Sequence, residues 1–173
     1  TRTEIVVSPE DDVELRRISI TNNSHRARSL DLTSYAEVVL APAGADLAHP
    51  AFSNLFVQTE ILPQRQAILC TRRPRSHDEP APWMFHLMAI HGPHSLDVSF
   101  ETDRMAFIGR GRTVAAPQAM QDAGRLSGNQ GSVLDPIVAI RHRITLEPQQ
   151  TATIDMASGM AETRDGALSL VGK

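Results

Sequence analysis

Apolar and polar positions alternate with period two along most of this chain, which is the mark of half-buried strands. Leu30, Leu32, Ser34, Ala36, Val38 and Leu40 share one parity; Asp31, Thr33, Tyr35, Glu37 and Val39 take the other. In a strand the two sets face opposite ways, so one strand is predicted over 30–40 with a mainly apolar side. Residues 13–21 predict another, with a parity shift between Leu15 and Ile18 that points to a bulge at Arg16-Arg17. Asn22-Asn23-Ser24-His25 supplies turn residues between these two strands, so an antiparallel hairpin is expected. Ile5-Val6-Val7 is strand-like, and further strands are predicted at 55–62, 67–71, 83–91, 95–101, 137–146 and 152–156, with turns at Gly92-Pro93 and Glu147-Pro148. Many strands and little helix predict an all-β fold, an antiparallel β-sandwich.

Two stretches break the pattern. Residues 72–82 hold three prolines and many charges, and residues 110–136 hold four glycines and few large apolar side chains. A loop as long as the second is functional or mobile in most compact domains. With 173 residues the chain is long enough for one domain with a core of its own. The net charge of -3 argues against a general affinity for nucleic acid. Cys70 is the only cysteine, so no internal disulfide forms, which fits a reducing compartment. No apolar run approaches the roughly 18 residues of a membrane span, so no membrane insertion is expected of this chain. It opens on Thr1 and stops in a helix-like segment at 162–173, and we read it as a piece of a longer protein.

Most candidate chemistry has a plainer explanation. Glu101 and Asp103 share a strand face, whereas paired carboxylates in glycoside hydrolysis flank the scissile bond from opposite sides; a solvated or ion-paired surface is expected instead. His25, His49, His77, His86, His91, His94 and His142 fall in no metal-binding spacing and read as loop and surface residues. Cys70, in Ile68-Leu69-Cys70, reads as a buried inert thiol. Arg72-Arg73-Pro74-Arg75 reads as a solvated loop or a contact to another domain. The most informative run is Phe100 to Arg112, which ends in Gly109-Arg110-Gly111-Arg112. Glycines there allow a tight turn, and the arginines carry forked donors suited to hydroxyls, carboxylates or phosphates. A turn with solvated arginines is the plainer alternative. RNA binding is disfavoured by the acidic balance and the scarcity of rings on which bases stack.

Several stretches carry a family resemblance: 4–14 (Glu-Ile-Val-Val-Ser-Pro-Glu-Asp-Asp-Val-Glu), 33–40 with its Ser-Tyr-Ala-Glu, 49–57 (His-Pro-Ala-Phe-Ser-Asn-Leu-Phe-Val), 100–112, 126–128 and 134–137. Together they resemble the phosphorylase-like region of cyclic β-1,2-glucan synthases, which is similar in turn to the inverting cellobiose and chitobiose phosphorylases. The resemblance implies a galactose-mutarotase-like β-sandwich over 1–161, without its first strands. Residues 162–173 would then begin a helical linker to a missing helical catalytic domain that carries the general acid and most of the phosphate site. No catalytic residue, cofactor or metal is expected here; inorganic phosphate is the implied co-substrate of the parent, a glycosyltransferase or glycoside phosphorylase, and this portion alone is expected to be inactive. The implied role is to scaffold the catalytic domain, support a possible homodimer, and lend Arg110 and Arg112 to the site for a β-glucan or glucose acceptor. The implied location is the cytoplasmic side of the inner membrane, as a soluble part of a larger membrane protein. The alternative is a structural or interaction sandwich with no sugar contact. A stand-alone carbohydrate-binding module comes third, since it would need a groove lined by Trp83 or Tyr35.

Overall fold

The structure is a computed structural model that describes residues 1–74, 76, 78–92, 95–121 and 124–173. The alternating pattern becomes β1 (Arg2–Val7), β2 (Val13–Thr21), β3 (Arg28–Thr33), β4 (Ala36–Glu37), β5 (Val57–Leu62), β6 (Ala67–Arg72), β7 (Trp83–His91), β8 (Ser95–Asp103), β9 (Pro136–Leu146) and β10 (Thr151–Ala161). Among the described residues the α-helices are short: α1 (Ala43–Ala48), α2 (Pro50–Asn54) and α3 (Arg104–Ile108) lie between strands, and α4 (Arg164–Val171) follows β10. One sheet is six-stranded and antiparallel, in the order β1-β2-β10-β7-β6-β5. The second is centred on β9, with β8 along one side and β3 and β4 along the other. This is the antiparallel sandwich expected from the pattern.

β9 shows how the sequence builds the layers. Val138, Ile140, Ile144 and Leu146 face the other sheet and meet Ile68, Cys70, Met88 and Ile154 there. The opposite parity, Ile137 and Ala139, packs outward against Phe107 and Ile108 of α3 and Leu126 of the long loop. The six-stranded sheet is covered on its outer face by α4, whose Ala167 and Leu168 pack with Leu69, Phe85 and Ala157. Thr163 caps α4 by accepting from the Gly166 amide at 3.0 Å.

The structure corrects several expectations. β2 and β3 form no hairpin: β2 pairs with β1 and β10, and β3 pairs with β9 in the other sheet. Asn22 holds this crossing between sheets, its amide donating to the carbonyls of Arg26 and Leu146 at 2.8 and 2.9 Å. β2 has no bulge, because its ladders to β1 and β10 run in unbroken register. Its apparent parity shift is a change in what covers the strand. Ile18 and Ile20 pack on the core, whereas Glu14 and Arg16 line the open end of the cleft between the sheets. The strand predicted over 30–40 is interrupted at Ser34-Tyr35, where the Ser34 amide donates to the Ile140 carbonyl and the Ser34 hydroxyl accepts from the Ile140 amide.

Candidate functional site

The Gly-Arg-Gly-Arg run leaves the sheet through a helix that the alternation did not predict. Asp103 ends β8 and caps α3 by accepting from the Met105 amide at 2.8 Å. Gly109 closes α3 at φ 85° and ψ 154°, a conformation open in practice only to glycine. A Cβ at Gly109 would also lie 2.6 Å from Gln118 Oε1. Gly109→Ala should therefore cost roughly 1–3 kcal/mol, read from urea unfolding, and should displace Gln118; an unchanged midpoint would contradict the strained turn.

Arg110 and Arg112 both stand exposed beyond this turn. Arg112 donates to Gln121 Oε1. Neither arginine pairs with Asp103, and neither lines a cavity of this chain among the described residues. The loop that carries them is anchored from below by two buried charged side chains on the outer face of the β9 sheet. Arg141, 4% exposed, donates to the carbonyls of Ala119 and Gly124 and to the Thr33 hydroxyl. Glu101, 2% exposed, accepts from the amides of Thr102 and Asp103 through Oε1 and from the Ser127 amide and hydroxyl through Oε2. Glu101 is thus no solvated surface carboxylate, and it shares no face-to-face pair with Asp103. Oε1 is taken by the next two amides of its own strand, and Oε2 by the Ser127 amide and hydroxyl, which arrive 26 residues later in the chain.

A groove of about 550 Å³ opens between this loop and the Ser-Tyr-Ala-Glu segment. Tyr35 and Phe107 form its floor, with ring centroids 5.0 Å apart, and residues 114–117 and 120–121 form its wall. The Tyr35 hydroxyl donates to Glu37 Oε1 at 3.0 Å, and Arg104 Nε donates to the same oxygen at 3.0 Å. The Arg104 bond holds the Glu37 carboxyl below its usual range. Burial, followed by the bond to Glu37, raises the Tyr35 hydroxyl above its usual value. Asn54 and Asp135 extend the network, and burial raises Asp135.

A second cavity, of about 490 Å³, lies in the cleft between the sheets. His86 spans it, Nδ1 facing Ser158 Oγ at 2.8 Å and Nε2 facing Ser34 Oγ at 2.9 Å. Burial pushes His86 down to about 4, so the ring is neutral near pH 7. Both ring nitrogens meet hydroxyls, and Ser34 Oγ is already shared with the Ile140 backbone. The arrangement is a structural tie between sheets. His86 and His142 are therefore core residues rather than surface ones; His142 Nε2 bonds the Met88 carbonyl across the cleft at 3.0 Å. His25, His49 and His91 are exposed as expected, and His77 and His94 lie outside the described residues. Cys70 is fully buried, and burial raises its thiol to about 12, as an inert core cysteine requires. Arg72 is buried rather than solvated, donating to the Ser53 carbonyl at 2.9 Å and lying over the Phe56 ring; Arg75 lies outside the described residues. Among the described residues no cluster of histidine, cysteine and carboxylate side chains has metal-binding geometry, and no helix is long and apolar enough to cross a membrane.

Comparison with known proteins gives this geometry a context. The family model of the glycosyl hydrolase 94 supersandwich domain matches residues 1–173. The chain is 36% identical over 163 residues to the cyclic beta-(1,2)-glucan synthase NdvB of Rhizobium meliloti, covering 94% of this chain and 6% of that protein. It is 24% identical over 169 residues to the solabiose phosphorylase of Paenibacillus borealis, covering 98% of this chain and 21% of that protein. The chain therefore spans a small fraction of the length of either relative. Among solved structures, an inverting mannosidase of family GH92 from Bacteroides thetaiotaomicron overlays with a TM-score of 0.36 and 10% identity, covering 96% of this chain and 18% of that one, too loosely to carry an argument.

Proposed function

The chain belongs to the glycosyl hydrolase 94 supersandwich domain family, and from that premise we propose that it is the non-catalytic β-sandwich of a glucan-processing enzyme of the cyclic β-1,2-glucan synthase type. Its work is to scaffold a helical catalytic domain carried elsewhere in a longer protein and to present the 109–121 loop to the sugar-acceptor site. In this reading the longer enzyme acts by glycosyl transfer and phosphorolysis, inorganic phosphate is its co-substrate, and the domain lies on the cytoplasmic side of the inner membrane. Residues 162–173 lead toward the catalytic domain.

The observation that carries the reading is the construction of the loop. Two buried charged side chains, Glu101 and Arg141, are committed to fixing its backbone, and a glycine-only turn projects Arg110 and Arg112 from it. Burying charge is costly unless every hydrogen bond is met, so a loop held this way is preorganised. Preorganised guanidinium donors suit the orientation of an acceptor sugar, and orientation accounts for a large share of a catalytic barrier.

One observation favours the rival, a structural sandwich without sugar contact: Arg110 and Arg112 face solvent within this chain and share no concave surface in it. The two readings separate in phosphorolysis of linear β-1,2-glucan by the longer enzyme. Arg110→Ala and Arg112→Ala should each lower activity about tenfold or more, with folding and association unchanged. Full activity in both variants would leave the domain as scaffold alone.

A further inference from the structure

The Ser-Tyr-Ala-Glu segment has a use that scaffolding does not absorb. Ser34 ties the sheets together through His86 and Ile140, and Glu37 binds Arg104. Tyr35, between them, is held on both sides. Phe107 packs against its ring, and Glu37 fixes its hydroxyl. The ring is nevertheless only partly buried and lines the open groove of about 550 Å³, a size within the range of small-ligand sites.

Two polar side chains, Gln121 and Thr33, stand in a lining that is otherwise mostly apolar, with Val114 and Met120 beside them. Gln121 Oε1 accepts from Arg112, which leaves the Gln121 amide nitrogen as a donor to the groove. Thr33 also lines the groove, its hydroxyl positioned by Arg141 Nε at 3.0 Å. Ala115 and Ala116 keep the wall low, and Pro117 keeps it rigid. A clamped aromatic floor beside an amide and a hydroxyl, in an otherwise apolar lining, matches the chemistry of a glucopyranose. Such a ring has an apolar C–H face, which packs flat on an aromatic ring, and a girdle of equatorial hydroxyls, which takes side-chain donors.

We propose that this groove is a saccharide subsite, which holds a glucosyl unit of a β-linked glucan on the Tyr35 ring with Gln121 and Thr33 beside its hydroxyls. The class of sugar rests on the glucan reading above; the site itself belongs to this chain and needs no other domain. It gives the sandwich a holding function for glucan.

The test is a titration of the isotopically labelled chain with sophorose, the β-1,2-linked glucose disaccharide, followed by amide chemical shifts. The expected result is saturable millimolar binding, with shifts concentrated at Thr33, Tyr35 and residues 114–121. Tyr35→Ala should weaken it about tenfold or more. Because Tyr35 also packs on Phe107, Ala115→Trp serves as the second variant: residue 115 is exposed, so the indole fills the groove without entering the core, and binding should be lost in a chain that still folds. A flat titration up to about 10 mM sophorose, shifts centred on the His86 cleft instead, or full binding by Ala115→Trp would each overturn the subsite. None of these outcomes touches the acceptor-loop reading, which stands or falls on phosphorolysis by the Arg110 and Arg112 variants in the longer enzyme.

Discussion

Exchange of Glu101 for alanine should lower the free energy of unfolding by roughly 3–4 kcal/mol. The carboxylate is 2% exposed and accepts four hydrogen bonds, two on each oxygen. Alanine leaves three backbone amides and one hydroxyl without their acceptor, and each unsatisfied buried donor costs on the order of 1–3 kcal/mol. The adjoining cavity of about 120 Å³ admits some water, which keeps the sum below the full total. Glu101→Gln is the sharper variant. Glutamine keeps one oxygen but turns an NH2 group toward either the Thr102 and Asp103 amides or the Ser127 donors, so donors meet donors. It should cost roughly 2 kcal/mol and raise hydrogen exchange at 126–128. Urea unfolding reads both variants, and a Glu101→Gln protein as stable as the wild type would show that the carboxylate does not hold the loop.

The second large effect is loss of stability in mild acid. His86 is neutral in the fold and pushed down to about 4, first by burial and then by the charge of Arg16; the unfolded chain returns it to about 6.5. A base with a depressed folded value takes up its proton more readily when unfolded. Its contribution to stability is complete above pH 6.5 and drains away as pH falls toward 4. Between pH 7.5 and 4.5 this amounts to roughly 2–3 kcal/mol. His142, lowered by burial against a smaller opposing bond from the Met88 carbonyl, acts in the same direction. Asp31, Glu37 and Asp155 are lowered by their arginine partners and lose their contribution only at still lower pH, below the ordinary carboxylate range. Urea midpoints across this range should fall steeply for the wild type and flatten in His86→Gln. Parallel curves for the two proteins would remove His86 as the source.

The alternation of β6, β7, β9 and β10 was readable from the sequence because their side chains obey a local rule: one face meets the other sheet and the other meets helix or loop. What was not readable is non-local. Asn22-Asn23-Ser24-His25 has the composition of a hairpin turn, and the same residues serve a crossing between sheets once Asn22 reaches the Leu146 carbonyl. Glu101 looked like a surface residue because nothing near it in sequence announces the Ser127 donors. His86 looked like a surface residue because its partners, Ser34 and Ser158, lie 52 and 72 residues away. Gly109-Arg110-Gly111-Arg112 stood out correctly as a turn, since two of its residues need positive φ. The groove beside it could not be foreseen, because Tyr35 and Phe107 meet only when the β9 sheet is assembled.

The sheet order carries a consequence for how the chain comes to fold. β1 and β2 precede the other described strands in sequence, yet β2 finds its other neighbour only in β10, with Thr21 opposite Thr151. Closing so long a loop must precede any reward from the contact, and topologies of this kind fold slowly. During synthesis the β1–β2 ribbon, with Ile5, Val6 and Val7 uncovered, has to wait until residues 151–159 are made. A two-stranded ribbon of that kind is marginal in water and open to pairing with the wrong strand. β1 and β2 are joined to the rest of the sheet only by Thr151–Ala161, which lies between β2 and β7.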